Sequence, residues 1–154
     1  MYKHVLMPYD GSPLSERALT EGIAFAKNVG SKITLLHVVA PYHIPVSRGY
    51  VSPALKELEA QHLEELRKSA GEMLAKAQQQ AIAAGVKCDS ALRDGLSPHV
   101  EIIAAAKELG CDLIMMASHG RSGLESLLLG SETIKVLTHC SIPVLVVRGA
   151  AETP

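Results

Sequence analysis

Residues 5–13 read Val5-Leu6-Met7-Pro8-Tyr9-Asp10-Gly11-Ser12-Pro13. Three consecutive apolar residues make a short strand that stops at Pro8. Ser12-Pro13 then opens a helix, because serine is a good N-cap and proline fits the first helical position, where its missing N–H costs nothing. Leu19, Ile23 and Ala26 mark the buried face of that helix, and Gly30 ends it.

The same unit recurs along the chain. Ile33 to Val39 is apolar almost throughout, as strands buried on both faces are. Residues 41–53 carry three prolines and two of the four tyrosines and read as a long loop, of a length that is usually functional or mobile. Residues 54–84 form a long amphipathic helix with Leu55, Leu58, Leu66, Met73 and Ala77 at helical spacing, and the charged residues opposite read as a solvated face. Val86, Cys88, Ser90 and Leu92 alternate as in a peripheral strand. Ser97-Pro98 starts another helix, which runs through Val100, Ile103, Ala104 and Leu109 to Gly110. Leu113 to Ala117 is a fourth strand, followed by a glycine-rich loop and a helix from about Leu124 or Gly130 to His139. Ile142 to Val147 is the fifth strand.

Regular strand–helix alternation predicts an α/β fold with a parallel sheet covered on both faces. Right-handed crossovers leave few topologies, and ligands bind such sheets at the strand carboxyl ends, where the connections change face.

Composition narrows the function. The chain has 154 residues, 47% hydrophobic but only 3% aromatic, so one domain with an aliphatic core is expected, over residues 1–148 with a tail at 149–154. The net charge is −1 and the basic residues are scattered, which argues against DNA or RNA as a partner. Cys88, Cys111 and Cys140 stand far apart, without a Cys-x-x-Cys pair. They read as core residues in a reducing compartment. The apolar runs fall short of the roughly 18 to 20 residues that a membrane span requires, and the first run meets Pro8 and Asp10 before a signal-peptide core forms. A cytoplasmic protein without membrane partners is expected. His4, His37, His43, His62, His99 and His139 fall on separate elements, so no metal cluster is expected.

Two strand ends carry candidate chemistry. One is Pro8-Tyr9-Asp10-Gly11-Ser12. The other is Ala117-Ser118-His119-Gly120-Arg121-Ser122-Gly123, followed by Leu127-Leu128-Leu129-Gly130-Ser131. Glycines 120, 123 and 130 let the backbone approach a ligand and adopt positive φ, or serve as ordinary turn residues. A helix starting near Gly130-Ser131 offers free N–H groups to a phosphate, with Ser118 and Ser131 as hydroxyl donors. Asp10 is either a ligand contact or the turn residue that precedes the helix. His119 and Arg121 are placed for phosphate, and equally for a turn and for solvent. A P-loop and a Gly-x-Gly-x-x-Gly after the first strand are both absent, which excludes a P-loop ATPase and argues against a dinucleotide site.

The run Val-Leu-Met-Pro-Tyr-Asp-Gly-Ser, the strand Thr-Leu-Leu-His-Val-Val, and Ser-His-Gly-Arg-Ser-Gly-Leu…Leu-Leu-Gly-Ser…Pro-Val-Leu-Val-Val resemble the universal stress proteins, in order and over almost the whole chain. The resemblance implies five parallel strands ordered 3-2-1-4-5, in the Rossmann-like, adenine nucleotide α-hydrolase-like class. It also implies a regulatory protein of the stress response. The ATP-binding members carry Gly, two residues, Gly, nine residues, Gly, then Ser or Thr; here Gly120, Gly130 and Ser131 match, and Ala117 departs. By that resemblance Asp10 and the backbone around Val39 would contact the adenine and ribose end, and Pro8 and Ala117 would line the ribose. Gly120, Gly130, Ser131 and the Glu132 N–H would hold the phosphates of ATP, with Mg2+ or Mn2+ bridging them. The resemblance further suggests homodimer pairing through Val144-Val147, a strand read as an apolar edge. Two other readings stand beside nucleotide binding: a slow ATPase, for which no catalytic set is visible, and an interaction module with an empty cleft.

Overall fold

The computed structural model describes residues 1–41, 49, 52–119 and 129–149. Among the described residues nine elements alternate: β1 (His4–Pro8), α1 (Pro13–Val29), β2 (Lys32–Val39), α2 (Pro53–Ala83), β3 (Cys88–Asp94), α3 (Pro98–Glu108), β4 (Leu113–Ala117), α4 (Ser131–His139) and β5 (Val144–Val147). The strands form one parallel sheet in the order β3-β2-β1-β4-β5.

Local chemistry sets the helix ends. Ser12 Oγ accepts the Ser15 N–H at 3.2 Å, Pro13 is the first helical residue, and Gly30 closes α1 in the left-handed conformation at φ 74°. Ser52 and Pro53 start α2 in the same way, with Leu55 N donating to Ser52 Oγ at 3.2 Å. Of the two starting points expected for α4, the structure has the later one.

Alternation along β1 builds two cores. Val5, Met7 and Tyr9 pack with α1 and α2 on one face, whereas Leu6 packs with Ile102 and Ala105 of α3 and Val136 of α4 on the other. Cys88 and Cys111 are buried, and burial pushes both thiols up to about 11.

Two expectations need correction. Leu58 was expected on the buried face of α2 but is 56% exposed, and Leu55 and Leu66 are only half-buried. The residues that pack are Ala70, Leu74, Ala77 and Ala81. A 31-residue helix is about 46 Å long, while the eight-residue β2 spans about 26 Å. The first turns of α2 therefore have no sheet beneath them. In β3, Ser90 and Leu92 are exposed although the alternation placed them with buried Cys88, because the strand lies at the sheet edge and α2 meets it there through polar side chains, Gln78 on Ser90 and Arg67 on Asp94.

The ladder between β1 and β4 is shorter than its neighbour. β1 pairs with β2 over five residues, from His4↔Lys32 to Pro8↔Leu36, but with β4 only at Val5↔Leu113 and Leu6↔Ile114. Odd residues of β1 bond toward β2, since Lys3 O accepts from Lys32 N and Tyr9 N donates to Leu36 O. Even residues bond toward β4, since His4 O accepts from Asp112 N. Pro8 falls in the even set and has no N–H to donate, so the bonded ladder to β4 ends before it.

Close approach of α1 to the sheet depends on Gly22. A Cβ there would sit 2.5 Å from Met7 Sδ and 2.6 Å from Met7 Cε, and Met7 is itself buried. Gly22→Val is expected to cost about 1–3 kcal/mol by overpacking. Urea unfolding should show a smaller cost for the same substitution in a Met7→Ala background; an equal cost would assign the loss to helix propensity.

Candidate functional site

The carboxyl ends of β2, β1 and β4 lie side by side and carry most of the sequence-derived candidates. At β4, the Gly130 N–H donates to Ser118 O at 2.7 Å, and Thr133 Oγ1 donates to Ala117 O and Ser118 O at 3.2 and 3.1 Å. These bonds fix the start of α4 against the end of β4. A Cβ at Gly130 would meet His119 Cα at 3.1 Å and Ser118 O at 3.2 Å. Gly130 has φ −61°, which corrects the expectation of positive φ: close approach to its neighbours, not torsion, is what favours glycine here. The first bond within α4 runs from Ile134 N to Gly130 O at 3.0 Å. The N–H groups of Ser131, Glu132 and Thr133 precede it and point out of the helix end, where the dipole is positive.

Ser118 Oγ and His119 Nδ1 are 3.2 Å apart. Ala117 is buried, and its methyl belongs to the core on the α1/α2 face. Gly120 and Arg121 lie outside the described residues, as do Ser122, Gly123 and residues 124–128. Thr133 had no signal in the sequence, since its role depends on a carbonyl 16 residues away.

At β1, Asp10 Oδ1 accepts the Ser12 N–H at 3.0 Å, the turn geometry that leads into α1. Val39 is buried, and its carbonyl accepts the Gly95 N–H at 2.9 Å. Tyr9, His37 and Glu16 were not among the candidates. The His37 Nδ1–H donates to Tyr9 O at 2.8 Å, and the Tyr9 hydroxyl donates to the Glu16 carboxylate. Beside them a pocket of about 430 Å³ opens beneath α2, roofed by Leu66, Ala70 and Met73. The alternation along β1 was the available signal, because it places Tyr9 on the face of Val5 and Met7.

Glu132 acts through its side chain as well. Its Oε2 accepts from His99 N at 2.8 Å and lies 3.0 Å from His99 Nδ1, while Oε1 accepts from Lys135 Nζ at 2.8 Å. Ser97 makes no side-chain cap on α3, so Glu132 reaches from α4 to fill that role. Burial pushes its carboxyl up, but the Lys135 ammonium and the His99 donors outweigh burial and hold it below the usual range. Among the described residues no group of three or more His, Cys, Asp or Glu side chains stands together as a metal site, and no helix is long and apolar enough to cross a membrane.

The model of the universal stress protein family matches residues 1–148. The chain belongs to that family. It is 31% identical to universal stress protein MJ0577 of Methanocaldococcus jannaschii over 96% of both chains, and 32% identical to YxiE of Bacillus subtilis over 96% of this chain and all of the relative. The solved structure of MJ0577 superposes with a TM-score of 0.81 at 32% identity, covering 97% of each chain. UspA from Lactobacillus plantarum gives 0.81 at 26%, covering 96% of this chain and 98% of its own. A universal stress protein in complex with cAMP shares the fold at 24% identity and a TM-score of 0.65, covering 95% of this chain and 97% of its own. One from Archaeoglobus fulgidus in complex with dAMP does so at 20% and 0.61, covering 94% and 97%.

The side chain of Glu132 gives a stability test. Glu132→Ala is expected to cost about 1 kcal/mol at neutral pH through the lost α3 cap. Because the folded carboxyl titrates below its unfolded value of about 4.3, the contribution is present above that pH and fades as pH falls through the folded value. Urea midpoints of parent and variant should therefore differ at pH 7 and converge as the pH falls through the folded value.

Proposed function

We propose that this universal stress protein is a regulatory adenine-nucleotide binder that takes ATP with Mg2+ or Mn2+. The observation that carries the reading is the start of α4. Three backbone N–H groups precede the first helical bond, a side chain at Gly130 would crowd His119, and the helix start is bonded to the carboxyl end of β4. Phosphate oxygens suit such a helix end because they accept several N–H bonds and complement the dipole.

In this reading Gly130, Ser131 and the Glu132 N–H hold the phosphates, with Gly120, His119 and Arg121 beside them. Asp10 and the backbone around Val39 face the base and ribose, and Pro8 and Ala117 line the ribose. Without a metal site among the described side chains, the divalent cation rests mainly on the phosphate oxygens. The family members in complex with cAMP and dAMP carry ligands of this chemical class. Three free cysteines, two of them buried, suit a cytoplasmic location. Turnover, if any, is expected well below the median enzyme rate of about 10 per second.

The departure at Ala117 favours the rival interaction-module reading only if alanine closes the site. Its methyl packs into the α1/α2 core, so closure is not expected. Calorimetric titration with ATP and magnesium checks both points. Gly130→Asp should lose detectable binding at millimolar ATP while its circular dichroism is retained, and Ala117→Gly should shift affinity by less than about tenfold. Binding unchanged in Gly130→Asp would remove the site; a silent parent restored by Ala117→Gly would establish the interaction module.

We also propose pairing of two copies through β5. Val144-Val147 bonds to β4 on one side only, and Leu145 is exposed. An open apolar edge is a pairing template unless covered, and Pro143 beside it is a typical edge residue. Light scattering at micromolar concentration should give a dimer mass, and Leu145→Lys should shift it to monomer.

A further inference from the structure

We propose that His4 is an acid-sensitive latch at the amino end of the sheet. Its neutral ring joins β1 to β2 and to the turn between α3 and β4, and a further proton on that ring releases the junction. The latch lies at the opposite end of β1 from Pro8 and the candidate ligand residues, and works without a bound nucleotide.

His4 shares the β1 face of Leu6, which packs against α3 and α4, and it is buried. Its Nε2 lies 2.8 Å from the hydroxyl of Thr34 on β2, a residue that is buried as well. The ring also bonds the carbonyl of Leu109, the C-cap residue of α3. Such carbonyls have no partner within their own helix. A neutral imidazole suits both neighbours, because the carbonyl takes its one N–H and the hydroxyl can donate to its one lone pair. Backbone bonds meet at the same junction: Asp112 N donates to His4 O, and Lys32 N to Lys3 O, each at 3.0 Å.

A second ring proton does not suit this arrangement. It would reverse the Thr34 bond and place a cation where little water reaches it. The charged groups that act on the ring are Lys32 on β2, Asp112 before β4 and Asp89 on β3. Neither carboxylate is bonded to the ring. Asp112 accepts the backbone N–H groups of Lys3 and His4 at 2.8 and 3.0 Å, and Asp89 is exposed. Burial first, then Lys32, outweigh the Leu109 bond and the two carboxylates, and hold the imidazole below its ordinary value. The unfolded chain therefore binds the proton more readily. The latch contributes fully above the unfolded value of about 6.5, and its contribution fades as pH falls from there through the folded value.

The test follows the ring and the junction in the full chain as pH is lowered from neutral into the acid range. The His4 ring resonance, assigned through its own backbone in isotope-labelled protein, should titrate below about 6.5. Hydrogen exchange, corrected for the intrinsic rate, should show the protection of the Asp112 and Lys32 amides falling severalfold over the same range. The Tyr9 amide, bonded to Leu36 O at the far end of the β1–β2 ladder, should change less. Glutamine offers a donor to Leu109 and an acceptor to Thr34 without titrating, so His4→Gln should flatten the acid loss at Asp112 and Lys32 and narrow the fall in the urea midpoint. Should that variant fail to fold, ring titration and exchange in the parent decide the matter. A His4 ring that titrates at or above the unfolded value, protection lost equally at Tyr9, or an acid response unchanged in His4→Gln would overturn the proposal.

Discussion

Pro8 has no N–H to offer β4. In a parallel sheet each strand gives its backbone bonds alternately to left and right, so one proline at an even position of β1 ends the ladder on one side and leaves the other intact. β1 stays paired with β2 through Pro8↔Leu36, while its bonded register with β4 ends at Leu6↔Ile114. That end of the ladder falls where the connections change from the α1/α2 face to the α3/α4 face.

Backbone geometry then carries most of what happens at that end. Gly130 lies against Ser118 and His119 without left-handed torsion, and Thr133 ties the first turn of α4 to two carbonyls of the strand end. The helix start is thereby fixed in direction against the carboxyl end of β4. Glu132 extends the arrangement sideways. Its backbone belongs to the α4 end, while its carboxylate caps α3 through His99. The two helices on that face are coupled at their starts as well as through the apolar core between them.

The opposite face is built differently. Tyr9 continues the inward alternation of Val5 and Met7, but its hydroxyl needs a partner, and Glu16 one turn into α1 supplies it. A buried phenol paired with a carboxylate places polar atoms where the core of α1 and α2 gives out. Beyond that point α2 runs past the sheet, and the space between helix and strand ends stays open.

The sequence by itself determined the alternation of elements, the helix starts at Ser12-Pro13 and Ser97-Pro98, the stop at Gly30, and the placement of both candidate loops after β1 and β4. Each is a local matter: an N-cap bonds three residues on, and an apolar period is counted along one element. Family resemblance gave the strand order, which no local pattern contains. Only the tertiary structure decided which half of α2 is buried, since that depends on the length of the strands beneath it rather than on the helix's own period. It alone showed that glycine at position 130 answers to crowding by His119 and not to torsion, and that the Ala117 methyl turns into the core. It alone joined Glu132 to His99, Thr133 to Ser118 and Tyr9 to Glu16. Those contacts are set by where strand and helix ends converge in space, and a hydrogen bond between residues 33 apart, as in Glu132 and His99, leaves no periodic trace in the sequence.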